Sequence, residues 1–393
     1  MELSNRVQRI KPSPTLAITA RAAQLRAEGK DIIGFGAGEP DFDTPNHIRQ
    51  AAIQAINDGF TRYTAVNGTI ELRNAITAKF SRDNGLQYTA DQVLVSVGGK
   101  QSFYNLAQAL LNSGDEVIIP APYWVSYPDM VLLADATPVI VSSGIEHGFK
   151  MTPDQLEAAI THRTRLVVIN SPSNPTGAAY SKTELAALGE VLLKYPDIIV
   201  ASDDIYETIL LTDEPFDNIL TACPALYDQS IILNGVSKAY AMTGWRIGYA
   251  AGPEKLISAM KKIQSQSTSN PTSISQVAAQ AALEGDQSCI PLMNKAFMDR
   301  HEFVVSALNR IKGVECLYSK GAFYAFPAMH EAINAIPDVN NDVEFGEYLI
   351  NEAGVALVPG SAFGLPGYMR LSFATSMENL QEGLKRITLV LSN

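Results

Sequence analysis

Cysteine and histidine are both scarce in this chain of 393 residues, which limits the metal and redox chemistry that it can support. The three cysteines, Cys223, Cys289 and Cys316, are far apart and odd in number. This spacing excludes a disulfide framework and any Cys-x-x-Cys metal or redox site. The five histidines are scattered, so no short-range zinc signature is present either. We therefore expect no bound metal.

Long apolar runs and an excess of positive charge are also absent. No apolar stretch approaches the length needed to span a membrane, and residues 1–15 lack the core of a signal peptide. The net charge of −11 argues against a nucleic-acid partner, because little in such a protein could replace the counterions of phosphates. With 46% hydrophobic and 18% charged residues, the composition is that of a soluble globular protein, which we expect in the cytoplasm.

Short β-branched runs alternate with longer helical patterns through the first three quarters of the chain. Most of these runs are apolar on both faces, as expected for strands covered by helices above and below. They lie at Val93–Val97, Glu116–Ile119, Pro138–Val141, Arg165–Ile169, Ile198–Ala201, Ile231–Leu233 and Ile247–Ala251. Two helices between them begin with capping boxes, one from Thr152 to Gln155 and one from Ser181 to Glu184. The alternation predicts an α/β fold with a large, mostly parallel seven-stranded sheet.

The pattern changes after about residue 285. A long helical stretch at Pro291–Lys312 is followed by three short strands and a final helix that opens with Thr375 and Glu378. The three strands lie near Ala322–Phe326, Val355–Val358 and Met369–Phe373. A further helix, Ala17–Glu28, precedes the sheet. We expect residues 46–285 to form a large domain, and residues 1–45 with 286–393 to form a small, discontinuous α+β domain. The cleft between them is the expected ligand site.

Three glycine-containing motifs resemble nucleotide or nucleophile loops, but each is incomplete. Gly34–Gly38 lacks the third glycine of a dinucleotide loop and does not open a helix. Gly235–Ala239 ends in alanine where the nucleophile elbow of hydrolases requires glycine. Gly98–Lys100 lacks the upstream glycine of a phosphate-binding P-loop and is followed by Gln101. Nicotinamide, serine-hydrolase and ATPase chemistry are therefore disfavoured.

Four polar segments lie beside the ends of predicted strands. They are Asn170–Gly177, Ser202–Tyr206, Asn234–Lys238 and Gly244–Gly248, of which the last leads into the next strand. The carboxyl ends of parallel strands border one crevice, so an amide, an acid, a phenol, a lysine and an arginine are expected to face one pocket. This set suits pyridoxal 5′-phosphate, which requires a lysine for a Schiff base, an acid for its pyridine nitrogen, and backbone donors with an arginine for its phosphate.

The order of the motifs NPTG, SDxIY, SK and GWRIG resembles the aspartate-aminotransferase family of fold-type I pyridoxal-phosphate enzymes. Five further segments extend the resemblance over nearly the whole chain. These are AGEPDFDTP at Ala37–Pro45, YTAVNG at Tyr63–Gly68, GGKQ at Gly98–Gln101, APYWVSYP at Ala121–Pro128 and RLSFA at Arg370–Ala374. Together they are most similar to the prokaryotic branch that recognises its acidic substrate with a lysine.

The resemblance implies roles for the residues around the cofactor ring. Lys238 would hold the cofactor as a Schiff base and then shuttle the proton between substrate and cofactor. Asp203 would pair with the pyridinium nitrogen; it is preferred over Asp204 because the acid of the family lies three residues before the tyrosine. Tyr206 and Asn174 would hydrogen-bond the phenolic oxygen of the ring. Alternatively, either of these two could be an ordinary turn residue.

For the cofactor phosphate, the resemblance points to the backbone amides of Gly99 and Lys100 and to the side chains of Ser237 and Arg246. The GGKQ segment follows a strand and opens a helix, so its amides form an anion site. Tyr63 resembles the tyrosine that reaches the phosphate of the neighbouring subunit. This implies a homodimer with shared active sites.

Substrate recognition requires two bound carboxylates. Arg370 resembles the arginine that grips the α-carboxylate in a two-pronged contact, aided by Gly38 and Asn174. Many relatives of the other branch bind the distal carboxylate with an arginine near residues 264–273, a stretch that contains none here. Lys100 is therefore the expected ligand of the distal carboxylate, the alternative being a lysine that faces solvent.

Two further residues complete the predicted site. Trp124 would lie against the cofactor ring and contact substrate, although it could instead be a core tryptophan. Lys11 lies near the N-terminal segment that borders the substrate pocket in relatives, and it could meet the second carboxylate of prephenate.

The function implied is transamination in two half-reactions, in which L-aspartate and 2-oxoglutarate yield oxaloacetate and L-glutamate. The open alternatives are a bifunctional aspartate/prephenate aminotransferase, an aminotransferase for neutral or aromatic substrates, and a pyridoxal-phosphate β-lyase of the same fold. Lys100 argues against the lyase, because a neutral substrate would leave its charge unused.

Overall fold

Helices and strands follow one another in the alternating order that the sequence predicts. The computed structural model describes residues 1–12 and 14–392. The strands are β1 Ile33–Gly34, β2 Val93–Ser96, β3 Glu116–Ala121, β4 Thr137–Ser142, β5 Thr164–Asn170, β6 Ile199–Asp203, β7 Ser230–Gly235, β8 Gly248–Ala251, β9 Tyr324–Ala325, β10 Val355–Ala356, β11 Val358–Pro359 and β12 Met369–Ser372. Within the described ranges, no helix has the length and apolar character needed to cross a membrane.

The α-helices lie between and after these strands. They are α1 Asn5–Arg9, α2 Pro14–Ala27, α3 Asn46–Asn57, α4 Ile70–Lys79, α5 Gly99–Leu110, α6 Ser126–Leu133, α7 Pro153–Ala159, α8 Lys182–Leu192, α9 Ile219–Ala222, α10 Glu254–Ser265, α11 Ser273–Glu284, α12 Cys289–Leu308, α13 His330–Asn334, α14 Asp342–Tyr348 and α15 Met377–Leu391. Short 3₁₀ turns occur at Ala90–Gln92, Ile145–His147, Pro224–Gln229, Thr243–Trp245 and Gly360–Phe363, and π-helical turns at Phe80–Asn84 and Leu349–Ala353.

The seven strands predicted between residues 93 and 251 all belong to one sheet with the order β2-β8-β7-β6-β5-β3-β4. Strands β7, β6, β5, β3 and β4 run parallel, whereas β8 is antiparallel to both of its neighbours. The predicted mostly parallel α/β sheet is confirmed. Residues that follow the parallel strands are consequently gathered along one edge of the sheet.

Alternate side chains of each central strand enter two different cores. On β5, Leu166 and Val168 join one hydrophobic cluster, and Val167 and Ile169 join the other. All four side chains are at most 1% exposed, so helices cover both faces of the sheet. The faces are closed to ligands, and polar site residues are confined to the ends of the strands.

Side-chain caps fix several helix starts. Thr152 and Ser181 form the predicted capping boxes of α7 and α8, each accepting from the backbone N–H three residues later. The final helix begins one residue later than predicted, because Ser376 rather than Thr375 is its N-cap. The Ser376 hydroxyl accepts from the Asn379 backbone N–H at 3.2 Å.

The two ends of the chain meet in a third hydrophobic cluster, which contains Phe35 and Val355. Strand β1 pairs in parallel with β10, and the Phe35 backbone N–H donates to the Ala356 carbonyl at 2.9 Å. Strands β11, β12 and β9 form a separate antiparallel sheet. The segment predicted as one strand, Val355–Val358, is thus two strands, because its first half pairs with β1 and its last residue belongs to β11, which pairs with β12. This pairing is what a discontinuous small domain requires, and the boundaries near residues 46 and 285 stay a prediction.

Candidate active site

A cavity of about 400 Å³ lies at the carboxyl edge of the parallel strands. Its wall combines segments that are more than 300 positions apart in sequence, from Gly36 to Arg370. The predicted site residues that line it are Gly38, Gly99, Lys100, Trp124, Asn174, Asp203, Tyr206, Ser237, Lys238, Arg246 and Arg370. The cavity therefore collects the amide, acid, phenol, lysine and arginines of the four polar segments.

Asp203 ends β6 and faces this cavity. Its carboxylate accepts a hydrogen bond from the Tyr127 hydroxyl and one from the Ile205 backbone N–H at 3.3 Å. Burial raises the pKa of Asp203 to about 6, against the opposing effects of these hydrogen bonds and of the charge of Lys238. The carboxylate is mostly ionised at neutral pH and is available to pair with a cationic ring nitrogen.

Asp204 is turned away from the cavity. Its carboxylate accepts from the Ser202 hydroxyl at 2.7 Å and from the Asn218 side-chain amide at 2.8 Å. Burial raises the pKa of Asp204 to about 7. Both of its oxygens have protein donors, so Asp204 is part of the interior rather than of the cavity wall.

Lys238 follows β7 and donates to the Gly38 carbonyl. Burial lowers the pKa of its ammonium to about 8. The carboxylate of Glu39 opposes this shift, and the charges of Arg370 and Arg246 add to it. Roughly a tenth of such an amine is neutral at pH 7, far more than for an ordinary lysine. Lys238 is therefore suited to attack an aldehyde and to carry a proton.

Arg370 is a buried cation without an anionic partner in the described part of the chain. Its Nη1 donates to Asn174 Oδ1 at 2.9 Å and its Nη2 to the Gly36 carbonyl at 2.8 Å, whereas Nε has no hydrogen-bond partner. The guanidinium lies 4.6 Å from the ring centroid of Tyr324. Burial lowers its pKa. A buried charge is strongly unfavourable unless it is paired, so this arrangement calls for an anionic ligand.

A second anion site lies at the N-terminus of α5. Gly98 caps this helix with φ +82°, and a Cβ at this position would lie 2.9 Å from Cζ of Arg246. Glycine thus lets the Arg246 guanidinium approach the start of α5, where the first backbone amides of a helix are available to an anion. Arg246 donates to the carbonyls of Thr243 and Val97 at 2.9 and 3.4 Å, and makes no ion pair among the described residues.

Lys100 and Ser237 add donors beside this cradle. The Lys100 ammonium lies 5.1 Å from the ring centroid of Trp124. Burial and the charge of Arg246 lower the pKa of Lys100. Two cations, a hydroxyl and helix-terminal amides suit a multiply charged anion such as a phosphate. The lysine, the acid and this cradle could together hold the phosphorylated pyridine aldehyde expected from the sequence.

Two tyrosines that sequence reasoning did not assign also line the cavity. The Tyr324 hydroxyl is 2.9 Å from that of Tyr206, and Tyr127 binds Asp203. Burial raises the pKa of all three phenols, so they are neutral hydrogen-bonding groups. Tyr127 lies within the APYWVSYP motif, three residues after Trp124 and hence on the same side of a helical turn, which was an available signal. No such signal marks Tyr324, which comes from the other sheet.

Two predicted site residues do not line the cavity. Lys11 is exposed, and its backbone N–H and charge act on the Asp129 carboxylate, partly offsetting the burial that raises the pKa of that group. Tyr63 lies in the loop between α3 and α4 with a side chain that is 92% exposed. Their predicted roles, toward prephenate and toward a neighbouring subunit, stay predictions.

Comparison with known proteins gives consistent matches along the whole chain. The family model described as aminotransferase class I and II matches residues 30–387. The aspartate/prephenate aminotransferase of Nitrosomonas europaea is 62% identical, with all of both chains covered. That of Cereibacter sphaeroides is 55% identical over 98% of this chain and 97% of its own length.

Two solved aspartate aminotransferase structures also resemble this chain over nearly its whole length. The aspartate aminotransferase of Rhizobium meliloti superposes with a TM-score of 0.97 at 47% identity, covering 100% of this chain and 99% of its own. The aspartate aminotransferase of Thermus thermophilus with maleate gives a TM-score of 0.93 at 43% identity, covering 99% and 100%.

Proposed function

Because the chain belongs to the class I and II aminotransferase family, we propose that it transfers the amino group of L-aspartate to 2-oxoglutarate with pyridoxal 5′-phosphate. The products are oxaloacetate and L-glutamate, and the two half-reactions alternate at one site. We further propose that the protein acts in the cytoplasm. The names of its relatives support aspartate as the donor, and the Thermus thermophilus relative was solved with maleate, a dicarboxylate.

The observation that carries the proposal is the unpaired Arg370 guanidinium in the same cavity as Lys238 and Asp203. An arginine held by neutral acceptors presents a fixed fork to a carboxylate, which matches the α-carboxylate of an amino acid. Such a grip orients the substrate Cα toward the lysine and removes the translational freedom of a bimolecular encounter.

Each side chain around the cofactor ring has a separate role in this proposal. When bound, the cofactor supplies an electron sink for the charge that develops at the substrate Cα. Asp203 holds a proton at the ring nitrogen, and the Tyr127 hydroxyl fixes the orientation of that carboxylate. Lys238 would hold the cofactor through its aldehyde, and its neutral amine would be the group that takes the proton from the substrate Cα. Tyr206 and Asn174 would hydrogen-bond the phenolic oxygen, and Trp124 would lie against the ring.

The anion cradle at α5 fixes the phosphate. The Gly99 and Lys100 backbone amides, the Ser237 hydroxyl and the Arg246 guanidinium supply its donors, and Tyr63 of a second copy adds another. This last contribution requires a homodimer. Tyr63 supports that requirement because it extends almost fully into solvent on the isolated chain.

Lys100 selects acidic substrates in this proposal. Its side chain lies beside Trp124 in the cavity, and no carboxylate of the described residues forms an ion pair with it. The side-chain carboxylate of aspartate can therefore pair with the Lys100 ammonium. An amino acid with a neutral side chain would leave the ammonium partly desolvated without a partner.

A panel of half-reactions tests the proposal. Aspartate, glutamate, alanine and phenylalanine are added separately to the pyridoxal form, and loss of the cofactor aldehyde absorbance is followed. The proposal expects fast conversion by aspartate and glutamate and slow conversion by the two neutral amino acids. Faster conversion by alanine or phenylalanine would indicate a neutral or aromatic aminotransferase. A β-lyase would instead release ammonia and pyruvate from an added S-alkyl cysteine, whose thiolate leaves from Cβ.

Replacing Arg370 with lysine tests the carboxylate grip itself. Arg370→Lys keeps the charge but loses the two-pronged contact, so kcat/KM should fall by about 100-fold for acidic and neutral amino acids alike. The cofactor absorbance should be unchanged. An unchanged kcat/KM would exclude Arg370 as the α-carboxylate ligand.

A second candidate activity is transamination of prephenate as well as aspartate. It is favoured by the relatives named aspartate/prephenate aminotransferases, which cover the chain almost completely. The N-terminal segment that carries Lys11 also contributes Thr15 and Thr19 to the cavity wall. Adding prephenate to the aminated form of the enzyme distinguishes the two proposals, because only the bifunctional enzyme would recover the pyridoxal absorbance.

A further inference from the structure

A buried carboxylate lies directly behind the cavity wall and is not part of it. Glu207 follows Tyr206 in sequence and is 8% exposed. Its side chain accepts from the Asn234 amide at 2.8 Å and from the Asn84 amide at 3.0 Å, and it forms an ion pair with Lys79, which is 3% exposed. Lys79 also donates to Asn84 Oδ1 at 2.8 Å, so the network is closed on itself.

Asn234 connects this network to the turn that carries Lys238. Its Nδ2 donates to Glu207, while its Oδ1 accepts from the Gly235 backbone N–H at 2.7 Å. Asn234 precedes Ser237 by three residues and Lys238 by four. This hydrogen bond joins the turn after β6, which bears Tyr206 and Glu207, to the end of β7, just before Ser237 and Lys238. It adds to the backbone pairing of β6 with β7.

This turn is packed in the core through Val236, and a second cavity interrupts that packing next to it. This cavity of about 210 Å³ is lined in part by Lys79, Glu207, Gly235, Ala239 and Tyr240. Where apolar contacts are missing, polar contacts must hold the backbone in place. The front of the turn faces the active-site cavity. The Glu207–Asn234 bond adds a side-chain contact to the backbone hydrogen bonds that hold this segment, such as that from the Met242 N–H to the Ser237 carbonyl at 3.0 Å.

Stability alone does not account for the network. A buried ion pair is often no better for folding than apolar side chains of similar volume, whereas it does fix geometry through directional bonds. We propose that Glu207 and Asn234 are positioning residues that hold the turn carrying Ser237 and Lys238 in register with Asp203 and Tyr206. This inference rests on the proposed function, because it assumes that Lys238 bears the cofactor.

The inference is tested in the holoenzyme by exchanging the hydrogen-bond donor and acceptor between Asn234 and Glu207. Asn234→Asp sets a carboxylate against Glu207, and Glu207→Gln removes the charge opposite Lys79. The double variant keeps one negative charge in the network, moved from position 207 to position 234, and one hydrogen bond between the two side chains, with its direction reversed. Each single variant should lower kcat for aspartate by about 10- to 100-fold, as small misplacements of catalytic groups do. The double variant should recover to within about threefold of wild type.

A spectroscopic readout separates positioning from general destabilisation. The pH midpoint of the visible cofactor absorbance should move in both single variants and return in the double variant. Glu116→Gln is the matched control, because Glu116 is equally buried and bonded to Thr161 and Arg163, at the opposite edge of the sheet. It should lose stability and keep the wild-type kcat and midpoint.

The outcomes distinguish this inference from the proposed function. A wild-type protein without the lysine-dependent absorbance would overturn the proposed function. Single variants with wild-type kcat and midpoint, or a double variant no better than the worse single, would overturn the inference alone. If Asn234→Asp does not fold, Asn234→Ala removes the donor to Glu207 without adding charge, and the same kcat loss and midpoint shift are expected.

Discussion

Lys238 is buried beside two arginines, and this outweighs the carboxylates of Glu39 and Asp203 with a measurable consequence in the cofactor-free protein. Its pKa is about 8 in the folded chain against 10.5 for an ordinary lysine. Between these values the unfolded chain binds a proton that the folded chain does not, so stability rises as the pH increases. From pH 7.5 to 9.5, this one group should add roughly 2 kcal/mol to the free energy of unfolding.

Urea unfolding of cofactor-free wild type and Lys238→Met at several pH values isolates this effect. The other titrating groups are common to both proteins, so the difference between their free energies of unfolding should follow Lys238 alone. A difference that stays constant from pH 7.5 to 9.5 would mean that Lys238 titrates like an exposed lysine.

Lys100 should control substrate choice through charge. Lys100→Ala removes the proposed partner of the distal carboxylate, and a lost charge-assisted hydrogen bond corresponds to about a tenfold increase in KM for aspartate. The KM for alanine and phenylalanine should hardly change. Steady-state kinetics on the three substrates provide the comparison. Equal increases for all three would indicate that Lys100 serves only the phosphate cradle.

At the level of elements, the start of α5 depends on a glycine for two separate reasons. Gly98 has φ +82°, which is unfavourable for other residues, and a side chain there would push the Arg246 guanidinium from the helix terminus. Gly98→Ala should therefore weaken pyridoxal phosphate binding by at least about tenfold, since both the arginine and the amides would be displaced. Equilibrium titration of the cofactor-free protein measures this effect.

Gly114→Ala is the control for backbone strain. Gly114 has φ +90°, but a Cβ there would meet no atom within 4 Å. This variant should lose a similar amount of stability and bind the cofactor normally. If both variants bound the cofactor equally well, the close approach of Arg246 to Gly98 would have no part in phosphate binding.

The alternation of side chains along β6 explains how two adjacent acids acquire different environments. Successive residues at the strand end point in opposite directions, so Asp203 enters the cavity and Asp204 the interior. In the sequence, the two acids are simply adjacent in the run Ser202-Asp203-Asp204. The different environments of the two acids therefore follow from the alternation along the strand, not from the residue type.

At the scale of the whole molecule, α3 and the loop after it expose several apolar side chains. Ile53 and Ile56 on α3 are 47% and 53% exposed, and Tyr63 follows in the next loop at 92%. Contiguous exposed apolar side chains of this kind mark interaction surfaces. We propose that a second copy covers them, which would also bring Tyr63 to the neighbouring phosphate cradle.

Ile56→Glu should therefore convert the dimer to a monomer and lower activity with it. Placing a charge in an apolar interface leaves that charge buried without a partner, which opposes association. Sedimentation velocity and aspartate turnover measure the two effects. Leu389→Glu, on α15 at 57% exposure, is the control and should alter neither. A dimer that survives Ile56→Glu would place the subunit contact elsewhere.

Positive side chains are concentrated in the cavity although the whole chain is negatively charged. The chain carries a net charge of −11, yet Lys100, Lys238, Arg246 and Arg370 all line one cavity. Small anions respond to this local field, whereas a long polyanion would meet the acidic remainder of the surface.

The sequence alone determined the seven-stranded sheet and predicted eleven of the residues that line the cavity. Apolar runs of strand length, separated by capped helices, have few ways to bury both faces other than a parallel sheet, and its carboxyl edge then collects the polar segments. The tertiary structure decided what local pattern could not. It joined β1 to β10, brought Tyr324 to Tyr206 and left Arg370 without an acid. It also linked Glu207 to Asn234. These contacts join distant parts of the chain, and their positions follow from how the elements pack rather than from the residues beside them.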